Sequence, residues 1–472
     1  MNVVDLPFDP ERVSLAAALR AGNVVSGEIM PVEFADDALA LQFSTKHGDD
    51  LRYVAAWGRW MTWTGTIWEH DSTLYVYDKV RRICRTAAAE ARLPTLQTKL
   101  SAARTASSVE LMARSDRRHA ATIDQWDSDP WLLNTPGGVV DLRTGRTHAA
   151  NPDWHMTRCT AIAPDETAHC PTFMTFLDRI TGGNVLLQAY LQRVAGYCLT
   201  GITKEHAMFF GYGTGGNGKG VYLNTIVSIM ATYAVTADPD TFTAQKNGRH
   251  LTELARLMAA RFVVSQETEE GKPWAEARIK SVTGGDPITA NFMRQDHFTF
   301  TPQFKLFMAG NHKPGIQNVD EAMRRRMNLI PFDVTIPKEE RDADLPQKLR
   351  AEWPGILRWM IAGCLDWQQV GLRQPATVTS ATDEYFESED ALGMWMAESC
   401  VINHHSDTQV MELFTSWSAW AKNAGEEAGS KKRFSQKLTS RGFALRKATG
   451  GIRMISGIRL MRPKNHNNQD EM

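Results

Sequence analysis

Met208-Phe209-Phe210-Gly211-Tyr212-Gly213-Thr214-Gly215-Gly216-Asn217-Gly218-Lys219-Gly220 is the stretch whose reading decides the fold. A short apolar run stops at a glycine-dense loop, and a helix-like run over 221–230 follows directly. Strand, glycine loop, lysine and helix start form a phosphate cradle. The glycines let backbone N–H groups converge on a β-phosphate, the helix N-terminus adds positive potential, and the lysine reaches the β/γ oxygens. The spacing Gly213-x4-Gly218-Lys219 fits the P-loop pattern except at its last position, where Gly220 replaces the Ser or Thr that contacts magnesium. Gly213, Thr214, Gly215, Gly216, Asn217, Gly218, Lys219 and Gly220 are therefore read as an ATP site.

At 472 residues the chain is too long for one core, so two to four domains are expected. Its net charge of −1 means that any nucleic-acid contact must come from local patches. Six cysteines at 84, 159, 170, 198, 364 and 400 include no Cys-x2-Cys pair, so buried thiols are expected rather than zinc. Asp5, Asp9 and Glu11 argue against a secretory or transit peptide. No apolar run approaches the ~20 residues a membrane span needs, so a cytoplasmic location with no membrane partner is expected.

Residues 1–170 read as a tryptophan-rich α/β domain. Trp60-Met61-Thr62-Trp63-Thr64-Gly65-Thr66-Ile67-Trp68 alternates as a hairpin, and 132–142 reads as two short strands around Pro136-Gly137-Gly138. The tryptophans can stack on single-stranded bases, but their strand-like alternation favours a packed core. Residues 171–205 have the helical periodicity of a small collar. From 206 to 336 strands alternate with helices and 338–375 looks helical again, so 206–375 reads as a parallel nucleotide-binding core. The polar stretch 374–380 marks a boundary before a last unit at 381–472.

A phosphate-binding loop needs a second strand that delivers an acid to the metal and the attacking water. Arg261-Phe262-Val263-Val264-Ser265-Gln266-Glu267-Thr268-Glu269 supplies it, with Glu267 first choice for the metal-linked acid and Glu269 second. A third strand, 305–310, ends at Asn311, whose amide can sense a γ-phosphate. Arg324-Arg325-Arg326 precedes a further strand; an arginine reaching a neighbouring subunit's γ-phosphate acts in trans only in a ring. Two alternating strands flank Arg294-Gln295-Asp296-His297, a hairpin that is either a DNA lever in a ring channel or plain surface.

In the C-terminal unit a helix over 411–420 precedes Lys431-Lys432-Arg433-Phe434-Ser435-Gln436-Lys437, and two strands follow around Gly450-Gly451. That order describes a winged helix. From 431 to 464 there is no Asp or Glu, so Lys431, Lys432, Arg433 and Lys437 are read as phosphate contacts on DNA.

The loop 213–220, the acid strand ending in Glu267, Lys280-Ser281-Val282-Thr283-Gly284-Gly285-Asp286, the Asn311 strand and Arg325-Arg326 occur in an order that resembles superfamily 3 helicases. More narrowly, they resemble the helicase part of phage and plasmid primase–helicases, related to the poxvirus primase–helicase. The upstream elements Trp63-x-Gly65-x2-Trp68 and Leu133-Asn134-Thr135-x2-Gly138-Val139-Val140-Asp141 resemble the domain that precedes the motor there. The resemblance implies an AAA+-like, ATP- and Mg2+-dependent DNA helicase, working as a homo-hexamer on single-stranded and forked DNA in a bacterial host cell. It implies that Lys219 binds phosphate, Glu267 serves metal and water, Asn311 is the sensor, and Arg325 or Arg326 is the finger. Lys280, Arg294 and His297 become the motor's DNA contacts. Gly220 leaves the metal without a ligating hydroxyl, and a separate primase is expected because the primase module of full-length relatives has no counterpart here. The alternative is a DNA-bound ATPase, an origin initiator or remodelling switch without processive unwinding.

Overall fold

The computed structural model describes residues 31–244, 252–266, 272–291, 297–316 and 319–461, together with a two-residue strand pair at 24–25 and 28–29. It is a mixed α/β structure with a parallel sheet at its centre. The N-terminal part opens with α1 (Asp36–His47), β1 (Leu51–Val54), β2 (Arg59–Trp63) and β3 (Trp68–His70). These strands pair antiparallel in sequence order, so the alternation at 60–68 does form a hairpin. Helices α2 (Tyr75–Glu90) and α3 (Ala103–Ala113) pack on α1 around Phe43, Val80 and Val109. A short β4 (Ala120–Ala121) joins β1 in parallel. The tryptophans are core residues here: Trp60, Trp68 and Trp126 are buried, and Trp57 and Trp63 pack against them. A separate antiparallel sheet holds β5 (Leu132–Thr135), β6 (Gly138–Asp141) and β7 (Arg146–His148), with the Pro-Gly turn between the first two.

Two helices, α4 (Pro171–Ile180) and α5 (Val185–Leu199), lead to the central sheet; Asn184 caps α5 by accepting from the Leu187 N–H at 3.1 Å. Then come β8 (Met208–Tyr212), α6 (Lys219–Met230), β9 (Ala234–Thr236), β10 (Phe262–Gln266) and α7 (Glu276–Gly284). A hairpin of β11 (Ile288–Asn291) and β12 (His297–Phe300) stands apart as its own two-stranded sheet. β13 (Lys305–Gly310), α8 (Glu321–Arg324) and β14 (Met327–Pro331) complete the set. The sheet order is β9-β10-β13-β8-β14, all parallel.

Its strands are apolar on both faces, as a sheet covered by helices on each side requires. Phe209, Phe262, Val264, Phe307, Ala309 and Ile330 face one core, shared with α4, α5, α6 and α9 (Trp353–Val370). Met208, Phe210, Val263, Leu306, Met308 and Leu329 face the other, shared with α10 (Ala376–Ser388) through Ala381, Tyr385 and Phe386. The polar stretch at 374–380 thus runs into a helix that packs on the sheet, and the sheet's core extends past residue 375. Two buried cations tie the sheet's other edge to its neighbours. Arg261 Nη1 donates to Leu199 O and Nη2 to Leu132 O, both at 2.8 Å, and Lys305 Nζ donates to Thr200 O.

The C-terminal part comprises α11 (Ala391–Ser399), β15 (Cys400–Gln409), α12 (Val410–Ala424), α13 (Lys431–Ser440), β16 (Ala444–Lys447) and β17 (Arg453–Leu460). Its antiparallel sheet has the order β15-β17-β16, and Trp395, Leu413, Trp417, Phe434 and Ile455 fill the core beneath the helices.

Candidate nucleotide and nucleic-acid sites

Because β8, β10 and β13 run parallel, their C-terminal ends lie on one edge of the sheet. Tyr212 pairs with Gly310 and Pro331, and Gln266 pairs with Ala309. The glycine loop 213–218 leaves from that edge and returns into α6 at Lys219. Gly218 has φ +81°, and a Cβ there would lie 2.4 Å from Ile180 Cγ2 and 3.0 Å from Phe176 Cε2, so α4 seats the loop from behind. Buried Asn217 donates its Nδ2 to Phe332 O at 2.9 Å, clamping the loop to the chain that follows β14.

Lys219 is 7% exposed. Its ammonium donates to Gly213 O at 2.9 Å and, more weakly, to Asn311 Oδ1 at 3.4 Å. Burial pulls its pKa below the ordinary lysine value. Loop, lysine and Asn311 therefore converge, as the sequence order predicts. An anion in this cradle would meet the start of α6 and an ammonium whose acceptors, among the described residues, are the neutral oxygens of Gly213 and Asn311. A Cβ on Gly220 would meet only Gln266 Oε1, at 3.7 Å, and Gln266 Nε2 donates to Asn224 Oδ1 at 2.9 Å. The two candidate acids, Glu267 and Glu269, lie outside the described residues.

The three arginines part ways. Arg324 is ion-paired with Asp383 at 2.7 Å. Arg326 is half-buried; its Nη1 donates to Ala322 O at 2.7 Å, while its Nε has no partner among the described residues. Arg325 is exposed, and its guanidinium has no hydrogen-bond or ion-pair partner among the described residues. All three precede β14, whose Met327 pairs with Met208 at the start of β8. They therefore lie a strand's length from the glycine loop of their own chain, about 16 Å for five residues.

Of the motor residues read as DNA contacts, Lys280 is ion-paired with Asp320, the N-cap of α8. His297 is exposed and pairs with Asn291 across the hairpin, and Arg294 lies outside the described residues. On α13 the four predicted cations do not share one face. Lys431 is exposed at the first turn. Lys432 lies with Gln436 and Thr439 along one side, where they line an open hollow of about 670 Å³ with Arg446, Lys447 and Arg453 from β16 and β17. Among the described residues no carboxylate lines it. Arg433 and Lys437 turn the other way; burial lowers the Lys437 pKa, as do Arg433 and Arg441, against the opposing charges of Asp390 and Glu276. The basic residues that line this hollow are Lys432, Arg446, Lys447 and Arg453, the last three unseen in the sequence because their convergence depends on the hairpin.

Residues 40–182 match the family model "D5 N terminal like", and residues 211–326 match the "Family of unknown function (DUF5906)". A protein of Acanthamoeba polyphaga mimivirus, named "Putative helicase L207/L206", is 26% identical over 63% of this chain and 33% of its own length. "Putative helicase 022R" of Frog virus 3 is 26% identical over 49% of this chain and 26% of its own length. The chain therefore spans between a quarter and a third of these relatives. The solved structure "The A form apo structure of NrS-1 C terminal region-CTR(305-718)" aligns over 90% of this chain and 100% of its own, with TM-score 0.49 and 9% identity. Among the described residues no helix is long and apolar enough to cross a membrane.

Proposed function

We propose that this chain, which carries a D5 N-terminal-like domain and is related to viral proteins named as helicases, is an ATP-driven DNA helicase of the superfamily 3 kind. The observation that carries the reading is the convergence of loop 213–218, Lys219 and Asn311 at the C-terminal edge of a five-stranded parallel sheet. In this reading the loop is a P-loop that holds the phosphates of ATP, and Asn311 senses the γ-phosphate. Glu267, with Glu269 as the alternative, polarises the attacking water. The residues fit a nucleotide: the cradle is glycine-shaped where α4 presses on it, and its lysine is oriented by neutral acceptors. Mg2+ would be held by phosphate oxygens beside Glu267, because Gly220 brings no hydroxyl and its neighbour Gln266 is an amide. The metal supplies charge neutralisation on the phosphates.

The position of Arg325 supports a ring. A guanidinium without a partner among the described residues, at the sheet edge opposite its own loop, can reach a γ-phosphate only on a neighbouring subunit, as a homo-hexamer with fingers in trans requires. In this reading the hairpin 288–300, with His297 and Arg294 from its sequence, is the lever on the threaded strand, and Lys280 is a further DNA contact. The C-terminal unit is a winged helix that captures DNA through its basic hollow. ATP turnover stimulated by single-stranded DNA, and abolished in Lys219→Ala, is the expected outcome; turnover unchanged in that variant overturns the assignment. Turnover without strand displacement would favour an initiator or remodelling switch instead.

A further inference from the structure

The chain that follows β14 folds back as a strap over the outside of the glycine loop. Three contacts latch it: Asn217 Nδ2 to Phe332 O at 2.9 Å, Ile336 N to Gly216 O at 2.9 Å, and Thr214 Oγ1 against Thr335 Oγ1 at 3.3 Å. At its end Arg341 turns back, anchored by Nε donating to Ile336 O at 2.9 Å. Its guanidinium then lies on the loop. A Cβ built on Gly216, which has φ +63°, would sit 2.1 Å from Nη2 and 2.7 Å from Cζ. The left-handed backbone at Gly216 favours glycine, and the end of the Arg341 side chain lies in the space beside it.

The charge of Arg341 is unspent. Nη1 and Nη2 have no hydrogen-bond or ion-pair partner among the described residues. The acids beside it in sequence are committed elsewhere: Glu340 pairs with Arg179, and Asp342 pairs with Lys348 at 2.5 Å. A cation without a counter-ion among the described residues, fixed at its Nε beside the glycine loop, is suited to an anionic ligand. The guanidinium fork suits phosphate oxygens, which accept two parallel hydrogen bonds from it.

We propose that Arg341 is a second cationic contact, in cis, to the polyphosphate of a nucleoside di- or triphosphate held in loop 213–218; this rests on the nucleotide-site reading above. It differs from Arg325 in kind. Arg341 shares its own chain's loop and binds in the isolated subunit, whereas Arg325 needs a neighbour. Nothing in the loop motif announces it, since it lies 125 residues after Gly216.

The test is equilibrium titration of fluorescent ADP and ATP analogues into the full chain, as wild type, Arg341→Ala, Arg341→Lys and Lys219→Ala. Arg341→Ala should weaken both nucleotides by on the order of 10- to 100-fold, the scale of a hydrogen-bonded charge contact. Arg341→Lys should recover part of that, keeping the charge but losing the fork. Without nucleotide, Arg341→Ala should melt at the wild-type temperature because the side chain is exposed, while its nucleotide-induced thermal shift shrinks. Unchanged affinities in Arg341→Ala beside lost binding in Lys219→Ala would overturn the proposal and leave the nucleotide site standing. A lowered melting temperature without nucleotide, with no rescue by Arg341→Lys, would overturn it too, marking the residue as a strut for the loop. Normal binding in Lys219→Ala would remove the nucleotide-site reading itself.

Discussion

Replacing Lys432, Arg446, Lys447 and Arg453 together with alanine should separate DNA capture from everything else the protein does. These side chains line one hollow with no carboxylate among its described walls, and each is exposed, so their loss should leave the fold intact. Each phosphate neutralised on duplex DNA contributes about 0.9 to the slope of log affinity against log salt, and on a single strand about 0.7. If all four residues touch phosphates, the slope should flatten by about 3.6 on duplex and about 2.8 on single strands. Between 50 and 200 mM salt, that is about a 150-fold smaller loss of duplex affinity in the variant than in the wild type. Fluorescence anisotropy with a labelled duplex at four or more salt concentrations measures it directly. The paired control is Arg433→Ala with Lys437→Ala, neither of which lines the hollow, Lys437 lying instead in the field of Asp390 and Glu276; its slope should stay within about 0.5 of wild type. If that control flattens the slope and the fourfold variant does not, the assignment of faces on α13 is wrong.

Gly218→Ala should destabilise the protein by about 2–5 kcal/mol, combining a left-handed backbone penalty of about 1–2 with overpacking against Ile180 of about 1–3. Denaturant unfolding measures it, and a variant as stable as wild type would contradict the loop conformation. Arg325→Ala mixed with Lys219→Ala should recover some ATP turnover that neither has alone, since each lesion spoils a different side of a subunit interface. Mixtures as inactive as their components, with turnover independent of protein concentration, would contradict the ring.

The central sheet was legible because its signals are local. Glycines punctuate the loop at 213–218, the strands before and after it are short apolar runs, and collar residues such as Phe173, Phe176 and Leu177 recur at helical spacing. The hairpin at 288–300 was legible for the same reason, an alternation broken by a polar tip. What escaped depends on distant partners. The strand Cys400–Gln409 contains Asn403, His404, His405 and Asp407 and shows no apolar alternation; it is a strand because β17 pairs with it, with a register shift between 403 and 407. The helix Ala376–Ser388 begins in threonine, serine and alanine that read as a linker, yet the sheet beneath it buries Ala381, Tyr385 and Phe386. Spacing on α13 could place Lys432 and Lys437 on different sides, but only Asp390, Glu276 and the β16–β17 hairpin say which side faces out. Arg341 escaped because a loop motif carries no information on what lies across it.

The most direct test is strand displacement on a forked DNA duplex with ATP and Mg2+, run with wild type and Lys219→Ala side by side. The account predicts displacement that requires ATP hydrolysis in the wild type and disappears in Lys219→Ala while that variant still binds the fork through its C-terminal hollow. Displacement by Lys219→Ala at the wild-type rate, or a wild type that hydrolyses ATP on the fork and never separates its strands, would contradict it.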